Sequence, residues 1–185
     1  MLMGAQPRIY FEDPHFKMGR KFLSDETYAE AIESFVIVCA DVLFINRANK
    51  SVLLLARRRV KPMQGLWLIG GRILAGEPEC DAIARLVKRE AGLDITPDRF
   101  EFICINRYLW TSREQEPQNK GSDDLCYTFA LEVSDEQKRT ASKHLDPNEY
   151  DTAVGLQEFN KERLEKESVH KAIKDLYDLV FSGKS

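Results

Sequence analysis

What this sequence lacks narrows its possibilities first. No apolar run approaches the roughly 20 residues that a helix needs to span a bilayer, so no membrane role is expected. The first residues, "MLMGAQPRIYFEDPHFKMGRK", lack the apolar core of a signal peptide, and a cytoplasmic location is expected. Charge of one sign is scarce too: 27 Lys and Arg against 30 Asp and Glu leave a formal charge of −3. No global field therefore drives the chain onto nucleic acid or an anionic surface. Cysteines number four, and Cys39, Cys80, Cys104 and Cys126 form no Cys-x-x-Cys pair. Each sits in or beside an apolar segment, which fits buried thiols of a reducing compartment and speaks against a structural zinc site. Repeats and low-complexity linkers are absent.

What is there fits one globular domain. Of the 185 residues, 43% are apolar and 31% charged, enough for a single core with a solvated surface. Residues 1–22 read as an irregular arm and 23–185 as one domain. "SDETYAEAIESF" predicts a short helix through Glu33, capped by Ser24. "FVIVCADVLFI" (35–45) and "SVLLLAR" (51–57) predict a strand pair joined by a turn. "RRRVKPMQG" is a basic loop, and "LWLI" a short strand ending at Gly70-Gly71. "RFEFICINRYLW" (99–110) and "LCYTFALEV" (125–133) are strands joined by a long polar loop that is substrate-facing or mobile. "ASKHLDPNEYDT" reads as another polar loop. A helix from about Lys161 to Phe181 places Leu164, Ile173, Leu176 and Val180 inward. Strands interrupted by helices predict an α/β/α sandwich with a mixed sheet.

The chemistry concentrates in "GLWLIGGRILAGEPECDAIARLVKREAGL", Gly65 to Leu93. Pro78 fits the first position of a helix and Gly92 its stop. Cys80, Ile83, Ala84, Val87 and Ala91 form one apolar stripe that packs on a sheet. Gly70-Gly71 let the backbone approach a ligand closely. Positions 86, 89 and 90 share one helix face, and a metal site for phosphate chemistry would place carboxylates there. This face carries Leu86, Arg89 and Glu90 instead. Its formal charge is zero, enough for one Mg²⁺ completed by a diphosphate and too little for a cluster of cations.

This stretch resembles the box of the Nudix family, G-x5-E-x7-R-E-U-x-E-E-x-G-U with U a bulky aliphatic residue. Gly71, Glu77, Arg85, Val87, Glu90, Gly92 and Leu93 match, while Leu86 and Arg89 replace two glutamates. "KPMQGLW" (61–67), "GGR" (70–72) and the helix from Ser24 are similar to the GDP-mannose mannosyl hydrolase branch. In that branch the box also loses glutamates, and the reaction moves from phosphorus to the sugar carbon. The resemblance runs from about Leu23 to Asp151. It implies an α/β/α Nudix fold, Mg²⁺ as cofactor, a nucleotide-sugar substrate and a homodimer.

Carried over residue by residue, the resemblance implies that Arg72 contacts the diphosphate and stabilises the departing nucleoside diphosphate. It makes the Gly70 carbonyl, Glu90 and Glu149 the metal ligands. Asp41, a lone acid in an apolar strand, Arg58 and Tyr127 would contact substrate. The alternatives are a strand-edge Asp with a local partner and a Tyr that only packs on the sheet; Arg57 and Arg59 compete with Arg58. Glu77 and Arg85 read as a structural pair that orients loop and helix, and Arg89 as a solvated cation. The general base is expected in "PNEYD", where Tyr150 takes its place, or at His144 nearby. Three functions stay open: hydrolysis of a nucleotide sugar at the anomeric carbon, pyrophosphate hydrolysis at phosphorus, and binding without turnover.

Overall fold

The computed structural model describes residues 8–10, 12–13, 15–47 and 51–182, so the expected arm over 1–22 lies partly outside the described residues. The first helix, α1, is Asp25–Ser34, and the Ser24 side chain caps it by accepting from the Thr27 N–H at 3.4 Å. The apolar runs that follow give β1 (Ile37–Asn46) and β2 (Val52–Arg58). The expected single strand around the two glycines is two strands, β3 (Gly65–Trp67) and β4 (Ile69–Arg72). The glycines lie inside β4 rather than after it. Gly70 pairs with Asp41 and Gly71 with Ala40.

Helix α2, Glu79–Ala91, starts after Pro78 in the capping position and ends at Gly92, whose φ of 65° is left-handed. A side chain at Gly92 would also collide with His144. Strands β5 (Glu101–Trp110) and β6 (Ser122–Glu132) follow. Helix α3, Asp135–His144, stands where only polar loop was expected. Its start is a capping box in which Ser134 and Gln137 each satisfy the other's backbone N–H. A short strand β7 (Gln157–Phe159) was also unforeseen. The expected C-terminal helix is two, α4 (Lys161–Lys166) and α5 (Lys171–Ser182).

The strands form one mixed sheet in the order β3-β2-β1-β6-β5. Strand β1 runs parallel to β6 and antiparallel to β2 and β4. Strands β2 and β4 share one edge of β1: β4 pairs with residues 39–42 and β2 with 44–46, so they part there. Alternation then divides the core into two layers. Ala40, Val42 and Phe44 face Ile83, Leu86 and Val87 of α2. Leu43, Ile45, Leu53 and Leu55 face Leu164, Ile173 and Leu176 of α4 and α5. This is the α/β/α sandwich that the sequence predicts. Among the described residues no helix is long and apolar enough to cross a membrane, and all four cysteines are free thiols.

Candidate active site

Where β2 and β4 part, a cleft of about 680 Å³ opens between α1, the sheet and α2. One wall is basic. Arg58 ends β2, Arg72 ends β4, and Arg85 and Arg89 project from α2; all four line the cleft. Arg72 is positioned by its ring contact, the guanidinium lying 3.8 Å from the Tyr28 centroid. Arg58 is held by Glu149 at 3.2 Å. Of the Arg57–Arg59 triplet, Arg58 lines the cleft, whereas Arg59 pairs with Asp151 at 3.1 Å.

Glu77 and Arg85 form the expected structural pair. Arg85 donates twice to the Glu77 carboxylate, at 2.7 and 2.8 Å, and once to the Arg72 carbonyl at 3.0 Å. Glu77 in turn accepts from the Leu74 N–H at 3.0 Å. Together they pin the loop after β4 to α2 and fix where Arg72 leaves the strand.

Glu90 is 1% exposed, and both of its oxygens have partners within the chain. The Tyr150 hydroxyl donates to Oε2 at 2.6 Å, and Arg89 Nη2 donates to Oε1. Burial raises the pKa of Glu90, and Tyr150 and Arg89 oppose the rise. Asp41 lies on the cleft floor beside Gly70, where any side chain in place of that glycine would collide with its carboxylate. Burial pushes the Asp41 carboxyl up to about 7, with Arg58 and Cys126 holding it back.

At the other end the cleft is aromatic. Tyr108 and Trp110, two apart on β5, stack with centroids 5.2 Å apart, and Trp67 meets both edge-on. The Tyr108 hydroxyl is buried and has no hydrogen-bond partner among the described residues. Asp124 pairs with Tyr108 across β5 and β6 and lines the same cleft. Burial raises its pKa, and hydrogen bonds from Ser122 and Trp110 oppose that. Arg113, in the loop expected to be substrate-facing or mobile, is 2% exposed and ties the loop to α1 through Glu33 at 2.6 Å. Tyr108, Trp110 and Asp124 were not singled out from the sequence, although period-two alternation on neighbouring strands puts them on one face.

Three expected site residues are placed otherwise. Tyr127 lies on the opposite face of the sheet from Asp124 and Cys126, packed beside Phe102 against the α2 layer. His144 ends α3 outside the cleft lining, with Nδ1 at 2.8 Å from the Thr140 carbonyl. Tyr150 is 1% exposed and turned onto Glu90. Burial and Glu90 hold its hydroxyl well above the ordinary phenol range, which keeps the proton on the oxygen that faces Glu90.

The Nudix domain profile matches residues 37–177. The chain belongs to the Nudix family. Among solved structures it is similar to a MutT Nudix hydrolase from Burkholderia pseudomallei, with a TM-score of 0.60, 17% identity, and 79% of this chain and 98% of that one covered. It is also similar to the E. coli dihydroneopterin triphosphate pyrophosphohydrolase (TM-score 0.56, 13% identity, 81% and 100% covered). A MutT protein from Methanosarcina mazei Go1 matches alike (TM-score 0.56, 17% identity, 81% and 96% covered). At such identities the likeness carries the fold alone, and nothing in it singles out the GDP-mannose mannosyl hydrolase branch. No curated protein matches the sequence.

Nudix hydrolases generally use divalent metal ions. The residues here fit one poorly. Among the described residues no three His, Cys, Asp or Glu side chains gather as a metal group. Of the expected Mg²⁺ ligands Gly70, Glu90 and Glu149, Glu90 is satisfied by Tyr150 and Arg89, and Glu149 by Arg58. Gly70 offers only a carbonyl within a paired strand. A cation would have to compete with Arg89 for Glu90 and with Arg58 for Glu149.

Proposed function

We propose that this Nudix protein hydrolyses a nucleoside diphosphate sugar of the GDP-mannose class at the anomeric carbon. The observation that carries the reading is the charge layout of the basic wall. It offers Arg58, Arg72 and Arg89 to an anion, while Glu90, the carboxylate of the Leu86–Arg89–Glu90 face, is buried and taken by Tyr150 and Arg89, and Glu149 is paired with Arg58. Such a wall suits a departing diphosphate. It does not suit a nucleophile assembled by metals at phosphorus.

In this reading the planar base enters the aromatic end, with the Tyr108 hydroxyl and Asp124 as its polar contacts. Aromatic faces and a carboxylate together suit a heterocycle with N–H donors on its edge. The diphosphate lies along Arg58, Arg72 and Arg89, where charge-assisted hydrogen bonds strengthen as the leaving oxygen gains charge. Water attacks the anomeric carbon through an oxocarbenium-like state with inversion. Its oxygen bonds to that carbon, the carbon–oxygen bond to the diphosphate breaks, and the water proton passes to a carboxylate. Asp41 takes this role in place of His144 and Tyr150, since it lines the cleft and exchanges its proton at about 7.

The test is turnover of nucleotide sugars in ¹⁸O-water. Label on the free sugar, with unlabelled nucleoside diphosphate, is the expected result. Label on phosphate would assign attack to phosphorus instead. Binding without turnover is the second reading, favoured by the burial of Tyr150 and the position of His144. Retained nucleotide affinity with no product over days would establish it.

A further inference from the structure

We propose that Arg89 stands in for the divalent cation, so that the cleft holds a diphosphate through guanidinium groups and needs no metal to do so. The inference rests on the reading of this cleft as a diphosphate site, and its test separates the two.

Arg89, Glu90 and Gly71 meet at one corner. A Cβ placed on Gly71 would stand 3.8 Å from Arg89 Nη2 and 4.0 Å from Glu90 Oε1. The guanidinium thus lies against the carboxylate at the edge of β4, where the strand brings the cleft floor to α2. The Arg89 side chain is 53% exposed and lines the cleft, whereas Glu90 is buried. The positive charge therefore faces the ligand and the negative charge faces the core. Leu86, the third residue of this helix face, is 1% exposed and offers no oxygen.

Charge counting gives the same answer. Arg89 and Glu90 together are neutral. A divalent ion added here would meet Glu90, with Glu149 near it, but each carboxylate already holds a guanidinium, Arg89 and Arg58, that the ion would repel; repulsion between like charges at a few ångströms is strong away from bulk water. A diphosphate added here meets Arg89, with Arg58 and Arg72 on the same cleft. Tyr150 completes the arrangement. Its hydroxyl fills Oε2 of Glu90 at 2.6 Å, so the carboxylate needs no metal to satisfy it.

The experiment titrates GDP, UDP and ADP into the protein and follows Trp67 and Trp110 fluorescence, once in EDTA and once in Mg²⁺. Calorimetry with Mg²⁺ alone is the companion measurement. The wild type should bind at least one diphosphate equally well in both buffers and give no heat with Mg²⁺. Arg89→Gln should weaken binding in EDTA by roughly tenfold or more, as expected for loss of a charge-assisted contact. Arg89→Glu places a second carboxylate beside Glu90. It should lose binding in EDTA, bind Mg²⁺ calorimetrically, and recover diphosphate binding when Mg²⁺ is present. Wild-type binding that requires Mg²⁺ overturns the proposal, as does an Arg89→Gln variant with unchanged affinity in EDTA. If no diphosphate binds in either buffer, the functional reading of the cleft falls with it.

Discussion

The segment from Gly71 to Leu93 contains two kinds of residue with opposite fates. Glu77, Arg85 and Gly92 keep the features of the Nudix box, and each has a mechanical job. Glu77 and Arg85 lock the loop to α2, and Gly92 turns the chain where no side chain fits against His144. Leu86 and Arg89 depart from the box, and Glu90 keeps its carboxylate but turns it to Tyr150 and Arg89. The frame of the box is kept while two of its carboxylate positions carry Leu86 and Arg89. Residues that hold the frame are thus separable from those that depart from the box, and family membership does not settle the reaction here.

That separation is breakable, and the largest effect should come from the chemical side. Arg72→Gln should lower the rate on a nucleotide sugar by about 10²–10³-fold, the usual worth of a donor aimed at developing charge. Thermal stability should change little, because Arg72 is exposed and its stabilising contact is one cation–π pair of about 0.5–1 kcal/mol. Steady-state kinetics beside a melting curve would read both. A large fall in melting temperature would mean that Arg72 belongs to the frame.

The frame should answer in the opposite way. Glu77→Ala leaves Arg85 without its bidentate partner and the Leu74 N–H without an acceptor. The expected cost is about 2–3 kcal/mol, below that of a fully buried pair since Arg85 is 31% exposed. For a chain of this size that is a drop of roughly 5–10 °C in melting temperature. Diphosphate affinity measured well below the transition should persist. If affinity vanishes while stability holds, Glu77 is part of the binding chemistry and the division drawn here is wrong.

How far the sequence reveals this division depends on how local each cause is. The Glu77–Arg85 pair lies within eight residues, and the Gly92 stop is a local backbone rule, so both are legible. The α3 helix was missed: Ser134 and Gln137 spell a capping box, but a helix with only Ala141 buried shows almost no apolar period. The break between α4 and α5 was missed although it leaves a trace: Leu164 and Ile173 are nine residues apart, which puts them on opposite sides of one continuous helix. At the interruption His170 packs on Trp67 and Trp110. Tyr127 was misassigned by strand parity: neighbours on β6 face opposite layers, and nothing local says which layer holds the cleft. The bond from Tyr150 to Glu90 joins residues sixty positions apart and exists only in the folded chain.

That bond offers the next test. Tyr150→Phe keeps the ring in its buried place and removes the donor from Glu90 Oε2. Leaving a buried acceptor unpaired should cost about 1–2 kcal/mol, seen as a lower denaturant midpoint. The pKa of Glu90 should rise further, since Tyr150 is one of the groups that lower it. A variant as stable as the wild type would show that water or Arg89 already satisfies the carboxylate, and that Tyr150 is packing alone.

The smallest expected effect on stability lies beside Gly70, at Asp41. Its carboxyl titrates near 3.8 in the unfolded chain and at about 7 in the fold, where burial is the dominant cause. Between those values the native state keeps a proton that the unfolded state has released. Stability therefore falls as pH rises through that window, by the usual linkage between proton uptake and unfolding. Asp41→Asn removes the titration. Its unfolding free energy should vary less between pH 4 and pH 7 than that of the wild type, with the variant gaining relative to it towards neutrality. The same substitution should abolish the water-activating role proposed for Asp41 without weakening diphosphate binding to the guanidinium wall. Denaturant titrations across pH, run beside nucleotide titrations at one pH, separate the two. If the wild type grows more stable over this window relative to Asp41→Asn, the carboxylate is ionised and paired in the fold. Asp41 would then be a partner of Arg58 rather than a proton acceptor.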